Sequence, residues 1–233
     1  MTHVRILLDR SGSMDSCREG TVSGFNQYLR DQQAQPDDGT TLAMVQFDSE
    51  SYDNLFDRPI KDVTPMTERD FQPRASTPLH DAMGRCIDET LRDHRNDKVL
   101  MVIITDGFEN ASHEYTMERL AQMIKDRRDA GWEFIFLAAN QDAILTATPY
   151  LGGAYAASNA RRFSSTNQGM GQTMSSVNMV TRSYRTTGAV GGSLAQNAPE
   201  LDPNDPSLTQ AATATIPPTP NTASASQPKV RRW

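Results

Sequence analysis

Four short, largely apolar runs divide the first two thirds of the chain. They cover residues 4–8, 42–47, 99–104 and 134–139. Each run has the length of a β-strand, and the lack of regular alternation between apolar and polar positions indicates strands that are covered on both faces. This pattern is typical of a parallel sheet enclosed between two layers of helices.

The segments between these runs have the period of amphipathic helices. Apolar residues recur at three- and four-residue spacing within residues 22–29, 79–91, 117–124 and 170–184. The charged segment 50–63 predicts a short edge strand, with a turn at Asp53-Asn54 as the alternative. The resulting order, β-α-β-β-α-β-α-β-α, predicts an α/β fold: a doubly wound, mostly parallel sheet flanked by helices, with one short antiparallel edge strand.

Composition changes near Gly188. From there to the end the chain is rich in Ala, Thr, Ser, Asn, Gln and Pro. Such a segment buries too little apolar surface to offset the entropy lost on ordering. We therefore predict one domain over residues 1–187 and a disordered tail over residues 188–233.

Charge and cysteine content narrow the class of protein. The formal net charge is -6, and no basic stripe accompanies it, so nucleic acid is not an expected partner. Cys17 and Cys86 are too few for a disulfide framework, and we interpret them as free buried thiols. Without a signal-peptide core or a membrane-length apolar stretch, the expectation is a cytoplasmic protein that does not contact membranes.

Residues with carboxylate or hydroxyl side chains lie in three separate loops that follow predicted strands. The first run ends in Asp9-Arg10-Ser11-Gly12-Ser13, which has the form DxSxS. Thr77 precedes the helix at 79–91, and Asp106 follows the buried run 99–104. Carboxylate and hydroxyl oxygens are hard ligands suited to Mg²⁺ or Mn²⁺. Because ligands bind beyond the carboxyl ends of strands in such sheets, we expect these residues to meet at one edge.

The combination of DxSxS, then TPLxDA at residues 77–82, then a strand ending in TDG at residues 105–107 resembles the von Willebrand factor A (vWA) family. Roughly residues 3–184 take part in the resemblance. A chain that opens almost at Met1 is similar to the small stand-alone bacterial and phage members. The family often has glycine two residues before the threonine, and here that position is Ala75.

The resemblance implies a metal-ion-dependent adhesion site (MIDAS). Its metal ligands would be Asp9, Ser11, Ser13, Thr77 and Asp106, holding Mg²⁺ or Mn²⁺. One open coordination position would accept a Glu or Asp carboxylate of a protein partner. The implied function is a metal-dependent protein-protein interaction module and not an enzyme.

Two other functions remain open at this point. The protein is alternatively a structural or assembly subunit whose metal rigidifies the loops. A phosphatase or hydrolase that uses Asp9 as its nucleophile needs a second carboxylate two residues later, where Ser11 stands.

Several neighbouring residues have two readings. Asp15 or Ser13 is a candidate cap of the first helix. Asp81 is either a residue that orients a metal ligand or a solvated helix residue. Glu109 and Asn110 either tune the choice of partner or are exposed loop residues. His80 and His113 are expected at the surface, and Gly169-Met170-Gly171 lacks the third glycine of a nucleotide-binding turn.

Overall fold

One six-stranded sheet organises the fold. The computed structural model describes residues 1–139 and 143–190. The strand order is β3-β2-β1-β4-β5-β6, and every pairing is parallel except that of β2 with β3. The strands are β1 (Thr2–Asp9), β2 (Thr41–Phe47), β3 (Tyr52–Pro59), β4 (Lys98–Thr105), β5 (Glu133–Ala139) and β6 (Ala160–Phe163).

Helices cover both faces of the sheet, which confirms the predicted fold class. The helices are α1 (Arg18–Gln33), α2 (Leu79–Asp93), α3 (Met117–Asp129), α4 (Ala143–Leu151), α5 (Gly153–Asn159) and α6 (Asn167–Thr187). Short 3-10 turns at Gly12–Cys17 and Ile60–Asp62 complete the regular structure.

Two hydrophobic cores explain the continuous apolar runs. Along β4, alternate residues such as Val102 pack with α1 and α6 on one face, whereas Ile103 and its equivalents pack with α2 and α3 on the other. Because successive side chains of a strand point to opposite faces, a strand buried on both sides must be apolar at nearly every position. The same reason accounts for the runs in β1, β2 and β5.

The charged segment 50–63 contains the antiparallel edge strand, as predicted. β3 pairs with β2 through Asp53 and Asn54, so the alternative of a turn there is wrong. The register shifts between Met44 and Val45, where β3 contributes one extra residue. Such a bulge bends an edge strand and disfavours pairing with another chain.

The region between β5 and α6 contains more structure than the predicted order included. The helices α4 and α5 and the four-residue strand β6 all lie there. β6 was missed because it is short and its centre is Arg161-Arg162, which has no strand-like apolar pattern.

The strand order fixes where a site can form. The chain leaves β1 toward β2 on one side, and it later returns to β4 on the other side of β1. The loops after β1 and β4 therefore diverge at the carboxyl edge, which is where doubly wound sheets form their binding crevices.

The last helix ends close to the predicted domain boundary. α6 stops at Thr187, and Gly188 follows in the left-handed conformation with φ 74°. Val190 still packs in the core of the α1 and α6 face. The predicted tail, residues 188–233, lies outside the described residues from position 191 onward. Within the described part of the chain, no helix is long and apolar enough to cross a membrane.

Candidate functional site

Asp9 ends the central strand β1 and is fully buried. The Ser11 backbone N–H donates to its Oδ1 at 2.7 Å, and the Thr105 hydroxyl donates to its Oδ2 at 2.6 Å. Burial raises the pKa of Asp9 to about 6, although both hydrogen bonds act in the opposite direction. The strand therefore holds this carboxylate rigidly at the carboxyl edge of the sheet.

The two serines of DxSxS connect β1 to β4. The Oγ atoms of Ser11 and Ser13 are 3.2 Å apart, and the Ser13 hydroxyl donates to Oδ1 of Asp106 at 2.5 Å. Ser11 is buried, whereas Ser13 is exposed. Burial raises the pKa of Asp106 above its usual range. Four of the five predicted ligands thus form one connected cluster through Thr105 and the Ser11 backbone.

Thr77, the fifth predicted ligand, is buried beside the loop that follows Asp106. A methyl group added to Gly107 would lie 2.6 Å from the Thr77 Oγ1, which places the hydroxyl directly against that loop. The Gly12 N–H donates to the Ala75 carbonyl at 3.1 Å and joins the loop of Thr77 to that of the serines. The structure therefore brings all five predicted residues to one edge.

Ala75 occupies the position where the family often has glycine. Its φ of 58° is the only positive value at a non-glycine residue among those that the structure describes. A side chain in this left-handed region costs about 1–2 kcal/mol, which glycine avoids. Ala75 therefore differs from glycine in its side chain but adopts the backbone conformation that glycine favours.

A buried ion-pair network ties the Thr77 loop to β1. The carboxylate of Asp48, which is fully buried, accepts from Arg10 at 2.8 Å and from Arg74 at 3.1 Å. The Arg74 N–H donates to the Arg10 carbonyl at 2.8 Å. Arg10 also pairs with Asp53 on the edge strand at 2.8 Å. Arg10, which precedes the two serines, and Arg74, which precedes Thr77, are therefore both held by the Asp48 carboxylate.

The loop after Asp106 is held in place by side chains for which the sequence analysis left two roles possible. Asn110 Oδ1 accepts from the Thr77 N–H at 2.9 Å. The Asp81 carboxylate accepts from the backbone N–H groups of residues 113–115 at 2.8–2.9 Å. Burial alone would raise the pKa of Asp81, but these donors lower it. Glu109 accepts from the His80 N–H at 2.8 Å. These residues position loops, and Asp81 is not a solvated helix residue.

Comparisons with known proteins bear on the fold. No protein-family model matches the sequence, and no curated protein matches it. Among solved structures, the vWF domain of the type V pili tip protein Mfa5 from Porphyromonas gingivalis is 7% identical with a TM-score of 0.53, covering 78% of this chain and 95% of that chain.

Two further structures are similar. The von Willebrand factor type A structure from Catenulispora acidiphila is 12% identical with a TM-score of 0.51, covering 77% of this chain and 42% of that one. The pilus adhesin SpaC from Lactobacillus rhamnosus GG, in an open conformation, is 13% identical with a TM-score of 0.56, covering 76% of this chain and 29% of that one.

The chain has a von Willebrand factor A-like fold. At these identities the likeness concerns the fold alone, and the chain spans only 29% and 42% of two of the matched structures. The predicted resemblance is confirmed to that extent. The metal site and the bacterial or phage type remain predictions.

The oxygen donors of this vWA-like fold suit a hard divalent cation. Two carboxylates and three hydroxyls occur together, and the nearby Asp106 carboxylate adds to burial in raising the pKa of Asp9. Burying two neighbouring carboxylates without a cation is costly. A divalent ion bound by these oxygens would provide the missing positive charge.

No pattern in the sequence indicated that Ser165 belongs to the site. Its hydroxyl donates to Oδ2 of Asp106 at 3.0 Å and lies 2.9 Å from the Ser16 hydroxyl. Ser165 follows β6, which the apolar pattern did not predict, so no signal placed it beside Asp106. In the vWA-like fold this contact connects the site to the start of α6.

The remaining readings are resolved by direct contacts. Neither Ser13 nor Asp15 caps α1: its N-cap residue is Cys17, and the Gly20 N–H of the first turn donates to Oδ1 of Asn167 at 2.8 Å. The Nε2 atom of His80 lies 2.9 Å from the Tyr150 hydroxyl, so this histidine packs against α4 instead of standing free at the surface. His113 is exposed, as predicted.

Proposed function

We propose that the carboxyl-edge cluster binds one Mg²⁺ or Mn²⁺ ion and, through it, an acidic side chain of a protein partner. The observation that carries this proposal is the convergence of Asp9, Ser11, Ser13, Thr77 and Asp106 from three separate loops at one edge of the sheet. Oxygen donors of this kind prefer Mg²⁺ and Mn²⁺ to softer metals.

The distribution of exposure supports binding of a partner above the cluster. Asp9, Ser11 and Thr77 are buried at its base, whereas Ser13 and the neighbouring Gly12 face solvent. When bound, the ion would supply a Lewis-acidic position that accepts a carboxylate from outside. The overall acidic charge of the chain disfavours nonspecific capture of acidic partners, so recognition would depend on the ion.

The enzyme alternative has less support. A nucleophilic Asp9 needs an accessible oxygen and an acid-base partner. Asp9 is fully buried and both of its oxygens already accept hydrogen bonds, and the residue two positions later is Ser11. We therefore favour binding over hydrolysis of phosphate esters.

A purely structural metal is the second candidate. The loops already hold one another through the Asp48 network and the Gly12–Ala75 hydrogen bond. Because these contacts involve no metal, the loops have less need of an ion for their rigidity. The subunit role predicts that chelation lowers stability without affecting binding to a partner.

Calorimetric titration of Mg²⁺ and Mn²⁺ into EDTA-treated protein tests the proposal. Wild-type protein should bind one ion, and Asp9→Ala and Asp106→Ala should each abolish saturable binding. Asp15→Asn is the matched control, because it removes an exposed carboxylate of the same loop that takes no part in the hydrogen bonds of the cluster described above. An immobilised Glu-containing peptide library, probed with and without EDTA, then tests the acidic partner.

The outcomes separate the candidates. Binding of one ion with metal-dependent peptide capture supports the interaction module. Binding of one ion that raises the melting temperature without capture favours the structural subunit. Absence of ion binding in folded wild-type protein rejects both. The cytoplasmic location remains a prediction from the sequence, and fractionation of the source cells tests it.

A further inference from the structure

A second cluster of metal-binding side chains lies at the opposite edge of the sheet. His3 is near the start of β1, His94 follows the last residue of α2, and Asp57 is on the edge strand β3. One nitrogen or oxygen atom from each lies within 4.8 Å of the others. None of these residues belongs to the carboxyl-edge site, which is at the other end of β1.

Each imidazole ring contacts a polar partner through Nδ1. The Nδ1 of His3 is 2.8 Å from the Thr41 hydroxyl, and the Nδ1 of His94 is 3.0 Å from the Asp97 carboxylate. Histidines that bind metals commonly use one ring nitrogen as ligand while the other is held by a carboxylate or similar partner. Both rings therefore have Nε2 left as the ligating atom.

The Nε2 of His3 is the unusual atom of this cluster. The side chain is fully buried, and its Nε2 has no hydrogen-bond partner. A buried polar atom that makes no hydrogen bond carries a free-energy cost. Burial, together with nearby His94 and Arg5, lowers the pKa of His3 to about 3, so the ring is neutral and its nitrogen lone pair is available.

We propose that His3, His94 and Asp57 form a binding site for Zn²⁺ or a similar borderline transition metal. The Nε2 of His94 already lies 3.3 Å from Oδ2 of Asp57, close to the ligand separation of a tetrahedral zinc site. Two imidazoles and one carboxylate select such a metal over Mg²⁺. Water would complete the coordination, since Asp57 reaches the surface.

Metal binding requires a local rearrangement. The rings of His3 and His94 are stacked, with centroids 3.5 Å apart and an interplanar angle of 14°. Because a ring nitrogen binds a metal in the plane of the ring, at least one ring must rotate for both to reach one ion. His94 is the ring that would rotate, because it lies beyond the end of α2 and its side chain is partly exposed, whereas His3 is fully buried. Its contacts with Asp97 and Asp57 would adjust as it turns.

Two basic groups stand near the cluster, the Arg5 guanidinium and the amino group of Met1. The Arg5 Nη1 lies 3.5 Å from Oδ2 of Asp57, but its closer partner is Glu89, at 2.6 Å from Nη2. The guanidinium is therefore already paired, and Asp57 remains able to bind a cation. The Met1 amino group lies 3.1 Å from the Asp97 carboxylate, so its charge is balanced by the carboxylate behind His94.

The test uses untagged full-length protein in excess Mg²⁺, so that the carboxyl-edge residues do not compete for the added metal. Zn²⁺ affinity is measured by competition with a chromophoric chelator, and Co²⁺ reports tetrahedral geometry through its visible absorption. His94→Gln and Asp57→Asn should each weaken Zn²⁺ binding by at least about 100-fold. His113→Gln and Asp129→Asn are the controls, because both remove exposed groups of the same type elsewhere.

Replacement of the buried His3 risks unfolding the protein, so its role is read in the wild type. Imidazole ¹⁵N spectra should show the Nε2 signals of His3 and His94 shifting together on addition of Zn²⁺. The proposal is overturned by absence of saturable Zn²⁺ binding or by affinity that survives both substitutions. Unchanged Nε2 signals would overturn it as well. Mg²⁺ binding should be unaffected by His94→Gln, which separates this proposal from that of the carboxyl-edge site.

Discussion

The contact between Gly107 and Thr77 offers a way to disturb one predicted ligand without removing it. A Cβ added at Gly107 would stand 2.6 Å from Oγ1 of Thr77 but 3.4 Å from its Cβ. Gly107 does not have a positive φ, so its backbone tolerates alanine. The conflict introduced by Gly107→Ala is therefore almost entirely with the threonine hydroxyl.

The magnitude follows from the geometry. Relief of the overlap by rotation of Thr77 to another staggered rotamer moves Oγ1 by roughly 2 Å, which is as long as a Mg²⁺–oxygen bond. The hydroxyl is then lost as a ligand, and we expect Mg²⁺ affinity to fall about 10- to 100-fold, or about 1.4–2.7 kcal/mol. Because rotation removes most of the clash, the free energy of unfolding should fall by less than about 1 kcal/mol.

Calorimetry with a matched control and a double-mutant cycle tests this reasoning. Gly12→Ala is the control, because its Cβ would be 3.6 Å from the Ala75 carbonyl oxygen, an ordinary contact. If Gly107→Ala acts only through the hydroxyl, it should weaken binding no further in a Thr77→Ala background. Wild-type affinity in Gly107→Ala would refute the assignment of Thr77 as a ligand. Equal losses in Gly107→Ala and Gly12→Ala would indicate general loop disruption.

Three other predictions concern stability measured by urea unfolding. Gly20→Ala should lower the free energy of unfolding by about 2 kcal/mol, because its Cβ would lie 2.3 Å from a backbone oxygen of α6, whereas Gly171→Ala meets nothing and should raise it by about 0.5–1 kcal/mol. Asp48→Ala should lower it by about 2 kcal/mol, because Arg10 and the backbone N–H groups of Glu50 and Ser51 lose a fully buried acceptor. Burial alone would raise the pKa of Asp38, but hydrogen bonds from Arg185 and a nearby threonine lower it to about 2. Its contribution, about 1 kcal/mol after allowance for exposure, should be complete above pH 4 and lost as the pH falls through 2.

Each of these predictions has an outcome that contradicts it. Equal effects of Gly20→Ala and Gly171→Ala would mean that the close approach of α1 to α6 is not rigid. Wild-type stability in Asp48→Ala would mean that water replaces the carboxylate. For the acid dependence, the difference between wild type and Asp38→Asn should shrink between pH 4 and pH 2, and a difference that stays constant over this range would reject the ion pair as its source.

The sheet was largely predictable, because a strand that is buried on both faces must be apolar at successive positions. The apolar run of β4 can be recognised in the sequence without knowledge of the rest of the molecule. The charged β3 was also predictable as an edge, since only an edge strand tolerates such a composition. β6 was not predictable, because the sequence of a four-residue strand centred on two arginines resembles that of a loop.

In the candidate site, too, some residues were predictable from local sequence and others were not. Asp9, Ser11 and Ser13 are close in sequence, and their spacing at the end of a strand already predicted a common point. Thr77 and Asp106 were placed there by family resemblance and by the rule for strand ends, and the structure brings them together. Whether they bind a metal remains a prediction.

The sequence by itself determined the fold class, the order of the main strands and the loops in which the site residues lie, because periodicity and strand-end motifs are local properties. Only the tertiary structure decided which distant side chains hold those loops. The contacts of Asp48 with two arginines, of Ser165 with Asp106 and of His3 with His94 join residues that are 26 to 91 positions apart. Such contacts depend on strand order and helix packing, and no short-range pattern records them.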